Sequence, residues 1–204
     1  MKRILQGLIQ IVILGLFVAL IVTGKVQLWM GLVLLGIIAA LIFSRLYCGW
    51  ICPINTAMRA VSWVKKKLSI KGFKIPEILT RPWVRYLVLG MFFVTFALVM
   101  ITGRKLPVLP GLFAAGILLT IFFPEELWHR YLCPYGTLFS LTGSKSKYAM
   151  IIDQNLCNSC GKCKEVCPAA AVEKDGRQFT ITKQDCLVCT DCAVECKQNA
   201  IGYH

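Results

Sequence analysis

The chain has 204 residues, is 57% apolar with a mean hydropathy of +0.66, and carries a net charge of +13. An ordinary soluble domain is about 45–50% apolar, so a plain water-soluble globule is excluded, while the length leaves room for one or two domains. Nucleic-acid binding is excluded by where the charge lies: Tyr148 to His204 holds six Lys/Arg and seven Asp/Glu, leaving 17 basic and three acidic groups to residues 1–147, around the apolar segments.

Lys2 and Arg3 precede an apolar run from Ile4 to Thr23. Crossing about 30 Å of hydrocarbon takes roughly 20 helical residues, so this run is long enough to span. No A-x-A-like site follows it and another apolar run begins at once, which points to a retained helix over a cleaved signal peptide. Further runs cover about Gln27 to Phe43, Val84 to Thr102 and Val108 to Phe123, the last bounded by Pro107, Pro110 and Pro124. In a bilayer each must be a helix that satisfies its own backbone, so four transmembrane helices are expected. The first and third connections carry only Lys25, Arg104 and Lys105. The second carries Arg45, Arg59, Lys65, Lys66, Lys67, Lys71, Lys74, Arg81 and Arg85. The positive-inside rule then makes this a multi-pass protein of the cytoplasmic membrane with both termini inside. Met58, Val61, Val64 and Leu68 recur at helical spacing beside Lys65-Lys66-Lys67, which suits a helix lying on anionic membrane lipid, or else a solvated basic loop.

Near the C-terminus eight cysteines form two identical runs, C-x2-C-x2-C-x3-C, at Cys157, Cys160, Cys163, Cys167 and, 29 residues on, at Cys186, Cys189, Cys192, Cys196. This is two-cluster ferredoxin spacing: three close thiolates wrap one cube and the fourth reaches the other. Two [4Fe–4S] clusters are expected, one on Cys157, Cys160, Cys163 and Cys196, the other on Cys186, Cys189, Cys192 and Cys167. Zinc favours C-x2-C pairs with a longer spacer, and disulfides need an oxidising compartment. Cys167 is followed by Pro168 but Cys196 by Lys197, a departure that loosens the exit from the fourth ligand without removing it. Tyr148 to Ile152 and Phe179 to Thr182 read as the strands preceding each run. The fold expected is an α-helical membrane domain over residues 1–147 joined to an α+β ferredoxin domain over 148–204.

The other three cysteines lie in an internal repeat. Tyr47-Cys48-Gly49-Trp50-Ile51-Cys52-Pro53 aligns with Trp128-His129-Arg130-Tyr131-Leu132-Cys133-Pro134, each copy about 45 residues after the start of its helix pair. Positions four apart on a helix share a face, so Cys48 and Cys52 can present two sulfurs in one direction, and Pro53 breaks or re-aims the helix just after them. If the halves pack around a pseudo-twofold axis, Cys48, Cys52, His129 and Cys133 meet as a Cys3His set for a third cluster or a metal ion. The alternative is small apolar fillers and an interfacial histidine.

At Arg45-Leu-Tyr-Cys-Gly-Trp-Ile-Cys-Pro, at Trp128-His-Arg-Tyr-Leu-Cys-Pro-Tyr-Gly and at the two ferredoxin runs, the chain resembles the NapH-type membrane iron–sulfur family, which includes NosR-like and CcoG/RdxA-like membrane parts. Its members usually carry Cys where His129 stands here, and a Gly is common where this chain has Asn55. The resemblance implies electron transfer in the cytoplasmic membrane, often with quinol as donor, and in the CcoG-like branch Cu(II) reduction at the membrane motif. Two functions are therefore expected to compete. One is an electron-transfer subunit linking a membrane donor such as quinol to a redox partner protein. The other is a metal-handling maturation protein using thiolates that suit Cu(I). No dinucleotide fingerprint and no C-x-x-C-H haem site is present, so neither NAD, FAD nor c-type haem has a home.

Overall fold

The computed structural model describes residues 2–70, 72–102 and 107–204, with the side chains of Lys2 and Arg3 omitted. Lys71, Arg104 and Lys105, which enter the charge count above, lie outside the described residues. The described chain is mostly helical and ends in short strands. Two helices, Ile4–Val22 and Pro82–Thr102, are long and apolar enough to cross a membrane, with hydropathies of 2.6 and 2.2. Their apolar side chains stay exposed, Val22 by 80% and Ile101 by 81%, as a lipid-facing surface requires. The other two runs fold as shorter apolar helices, Leu28–Phe43 and Val108–Phe122. At 1.5 Å per residue these reach only about 24 Å, short of a full crossing. Their ends are fixed locally. Ser44 turns into the left-handed region at φ 58°, and Pro107 and extended Phe123 flank the fourth run.

The chain packs as two compact units, each discontinuous: Met1–Met30 with Cys52–Thr137, and Gly31–Ile51 with Leu138–His204. The first unit contains α1 (Lys2–Val22), the first turn of α2 (Leu28–Phe43), α4 (Pro53–Lys67), α5 (Pro82–Thr102), α6 (Val108–Phe122) and a π-helical stretch at Leu127–Leu132. Phe17 of α1 meets Trp29 edge-on at 5.0 Å and Phe113 of α6 at 5.5 Å. On α4, Ile54 and Met58 are buried with Trp128, and Leu112, Phe113 and Leu119 close over them. Lys65 is tied back onto the chain. Its Nζ donates to the carbonyls of Thr120 at 2.7 Å and Phe123 at 3.3 Å, capping the end of α6 where the helix dipole is negative. Burial lowers the Lys65 pKa, and Glu125 pulls the other way.

The second unit joins the rest of α2 and α3 (Leu46–Trp50) to the C-terminal tail and the end of α7 (Pro134–Gly143). In the tail, β1 (Met150–Ile152) pairs antiparallel with β4 (Ile201–Tyr203), and β2 (Val172–Asp175) with β3 (Gln178–Ile181). The β2–β3 turn contains Gly176 at φ 57°. Two short helices, α8 (Lys162–Glu165) and α9 (Asp191–Glu195), complete it. The core gathers Met150, Ile152, Val172, Phe179 and Ile201 around Cys163, Cys186 and Cys192. The end of α2 is fastened to this tail. Tyr148 N–H donates to Ile42 O at 2.9 Å, the Tyr203 hydroxyl to Phe43 O at 3.1 Å, and Phe43 stacks on Tyr148 at 5.9 Å.

Candidate iron–sulfur site

The two cysteine runs fold alike, down to their unusual backbone angles. Ser159 and Val188 have φ of 56° and 53°, Gly161 and Thr190 78° and 62°, and Ala170 and Asn199 47° and 49°, each pair 29 residues apart. A non-glycine residue in this region costs about 1–2 kcal/mol, so five of them in one small tail are held by something stronger. Left-handed residues among right-handed ones turn successive N–H groups to one side, forming a concavity that suits an anion. Some of those donors already meet sulfur: Val188 N–H points to Cys186 Sγ at 3.5 Å and Ala171 N–H to Cys167 Sγ at 3.2 Å.

Cys157, Cys160, Cys163 and Cys196 line one pocket, walled by Ile152, Phe179 and Ile201. Around the second run, Cys186, Cys189 and Cys192 are all buried. Burial pushes the Cys192 thiol up to about 12, and Cys186 and Cys167 beside it push the same way. Cys186 is pushed up to about 11 by burial, against the Val188 N–H, with Cys167 raising it and Arg45 lowering it. Cys163 is raised too, again mainly by burial, with Cys157 and Cys160 adding to it. Thiols packed this closely cannot ionise together unless positive charge enters among them, which is what an iron–sulfur core brings. Among the described residues no three His, Cys, Asp or Glu groups converge as a single ion's ligands. The donor set around the two runs, all thiol with N–H groups at Cys167 and Cys186 sulfur, fits an iron–sulfur cluster.

The second run is also covered by α3, within the same unit. Arg45, just before α3, is fully buried, and its Nη1 reaches Gln184 O at 3.4 Å and Asp185 O at 3.5 Å, two long hydrogen bonds. Ser44 Oγ donates to Lys183 O at 3.3 Å and the Trp50 indole N–H to Val188 O at 3.0 Å. Gly49 lies so close that an added Cβ would overlap Leu187 O and stand 3.1 Å from Cys189 N. Only glycine fits such an approach. Sequence reasoning missed this arrangement. It counted Arg45 as a membrane-flanking charge, although Arg45 is 0% exposed. The one available pointer was the density of polar and aromatic residues from Arg45 to Trp50 just after an apolar run.

The repeat in the helical half appears in local structure, with one correction. Cys48 and Cys52 do not share a helix. α3 ends at Trp50, Cys52 is extended at φ −67°, ψ 117°, and Pro53 begins α4. Cys133 repeats this at φ −81°, ψ 110°, between the π-helical stretch and Pro134 of α7. The reason is the proline, which excludes helical angles at the preceding residue and favours the first helical position itself. In the first unit Cys52 and Cys133 pack against the same Ile54–Met58–Trp128 core. Both also raise the Tyr135 pKa, whose largest cause is burial, and Gly136 N–H meets Cys133 Sγ at 3.2 Å. His129 is buried, with Nε2 3.9 Å from Glu125 Oε2 one helical turn earlier. Cys48 is buried on α3 in the second unit, its pKa raised by burial and lowered by Arg45.

Comparison with known proteins agrees with the thiol chemistry. One family model, described as a 4Fe-4S binding domain, matches residues 26–71 and 106–148, and a second 4Fe-4S binding domain model matches 150–173. The ferredoxin-type protein NapH of Escherichia coli is 29% identical over 191 residues, covering 83% of this chain and 65% of that protein. NapH of Haemophilus influenzae is 28% identical, covering 85% of this chain and 67% of its own length. The methylamine utilization ferredoxin-type protein MauN of Methylorubrum extorquens is 30% identical over 170 residues, 74% of this chain and 58% of its own. The chain thus spans roughly two thirds of the NapH proteins' length. No solved structure matches it.

Proposed function

We propose, from the premise that this chain belongs to the NapH- and MauN-type 4Fe–4S ferredoxin family, that it relays electrons from a quinol in the membrane to a redox partner on the cytoplasmic side. The coarse role, iron–sulfur electron transfer at a membrane, rests on the relatives and on two long apolar helices. The finer reading is carried by one observation, the doubled set of left-handed residues around two cysteine runs. It supports two [4Fe–4S] clusters, one on Cys157, Cys160, Cys163 and Cys196 and one on Cys186, Cys189, Cys192 and Cys167. When bound, such clusters take up and release single electrons with little rearrangement. The protein's part is to supply thiolates, aim N–H groups at the sulfurs and keep water from the second loop with α3.

The same reading makes the chain multi-pass, with both termini and the tail in the cytoplasm, the orientation favoured by its basic second connection. It also keeps Cys48, Cys52, His129 and Cys133 as candidate cofactor-binding residues for electron entry. Support comes from the 4Fe-4S model that spans both motif copies and from the shared core under Cys52 and Cys133. Iron and acid-labile sulfide per chain, with EPR of anaerobically reduced protein, test this. Two clusters give eight irons, and more than eight is expected if the third site is also a cluster. A colourless, iron-free yet active preparation would refute the reading. If a reduced quinone analogue fails to change the visible absorbance of loaded protein, quinol is not the donor.

A further inference from the structure

A buried charge stands against the second cysteine run. The two runs match in spacing and backbone, so their surroundings can be compared position by position at the 29-residue offset. Ahead of the second run, the carbonyls of Gln184 and Asp185 receive the Arg45 guanidinium, and both Arg45 and Asp185 are buried, at 0% and 1% exposure. The matching residues ahead of the first run are Asn155 and Leu156, and there the Asn155 N–H is taken by Asp153 Oδ1 at 2.9 Å. Within the first run Cys160 is exposed, whereas Cys186, Cys189 and Cys192 are buried. Among the described residues, then, a buried guanidinium is held beside the second run, in surroundings of low polarity where a charge acts strongly.

We propose that Arg45 is a positioning residue for the cluster on Cys186, Cys189, Cys192 and Cys167, one that clamps its loop and sets its reduction potential apart from that of the other cluster. This rests on the two-cluster reading above. A cluster held by four thiolates is anionic and becomes more so on gaining an electron, so a fixed cation beside it favours the reduced form. The buried Asp185 carboxylate acts in the opposite sense. The pair therefore works as a trim on one cluster, with Arg45 raising the potential and Asp185 lowering it. Trp50 and Gly49 hold the same loop without charge, which separates clamping from electrostatics.

The experiment is EPR-monitored redox titration of the full-length protein in detergent, with iron counted in every preparation. The signal of the second cluster is assigned by its loss in Cys189→Ala. Arg45→Gln is expected to change the reduced-to-oxidised ratio of that cluster at least tenfold toward oxidised, a fall of about 59 mV for one electron, while the other cluster moves less. Asp185→Asn is expected to move it the other way, and the double variant to lie between. Arg45→Lys keeps the charge and should stay near the parent value. Trp50→Phe removes a loop hydrogen bond without changing charge and should leave the potential in place. Opposite shifts from the two single charge variants support the proposal, since a loss of packing cannot give both signs. Shifts of the same sign, no shift, or an equal shift from Trp50→Phe overturn it. If Arg45→Gln fails to load iron, Arg45→Lys and Asp185→Asn decide alone. A parent protein with fewer than eight irons brings down the two-cluster reading, whereas eight irons with unmoved potentials bring down only this one.

Discussion

Gly49→Ala isolates the closeness of α3 to the second cysteine run. The new methyl group would sit inside the contact distance of Leu187 O and 3.1 Å from Cys189 N, both backbone atoms of the loop carrying the sulfurs. Neither can swing aside as a side chain could, so helix and loop must part by roughly 1 Å to regain normal contact. Overpacking of this kind costs about 1–3 kcal/mol. Parting also stretches the 3.0 Å bond from the Trp50 indole to Val188 O, and losing it costs about 0.5–1.5 kcal/mol more. A combined loss of about 2–4 kcal/mol makes local opening roughly 30- to 1,000-fold more frequent, since each 1.4 kcal/mol is tenfold. The assay is the rate of iron release to a chelator from anaerobically purified protein. Two phases are expected, with the second cluster leaving at least tenfold faster in the variant and the first unchanged. Gly90→Ala is the control: nothing lies within 4 Å of its added Cβ, and alanine suits the helix better by about 1 kcal/mol. If Gly49→Ala releases iron at the parent rate and melts at the parent temperature, α3 does not bear on the loop as described.

Three other outcomes are expected. Lys65→Met removes the cation from the end of α6 and should loosen its last turn by about 0.3–1 kcal/mol, seen as faster hydrogen exchange in the helix amides up to Phe122 with iron content unchanged. Phe179→Ala empties a buried core position that also walls the Cys157–Cys196 pocket, so a stability loss of about 3–5 kcal/mol should accompany selective loss of that pocket's iron. Removing iron from the full chain with a chelator leaves buried thiols and left-handed turns without support. Protease cleavage is then expected to start beyond residue 147, while α1 and α5 resist.

What could be read in advance follows from which interactions are local. The cysteine spacing indicates cluster chemistry because turn geometry, and little else, decides where sulfurs three residues apart can point. Apolar runs revealed the helices nearly to the residue, as with Leu28–Phe43 and Val108–Phe122, but not whether each is long enough to span. That depended on Ser44 adopting φ 58° and on Pro107, local stops that composition averages away. The i, i+4 pairing of Cys48 with Cys52 failed for a reason visible in the sequence, since Pro53 forbids the helix from passing through Cys52. Arg45 and Lys65 were hidden differently. A basic residue after an apolar run reads as a flank, and only tertiary contacts between residues about 140 and 55 apart show each serving carbonyl oxygens instead.

The discontinuity of the second unit bears on how the protein is made. Residues Gly31–Ile51 emerge from the ribosome long before Leu138–His204, yet the two stretches belong to one compact body. Ser44, Arg45, Gly49 and Trp50 must therefore wait, already anchored beside α2, for the last part of the chain to be synthesised. Covering of the second run has to follow that meeting, because before it Leu187 and Val188, each 2% exposed in the finished fold, are open to water and oxygen. A fragment beginning at residue 148 repeats this immature condition permanently, however complete its set of eight thiols.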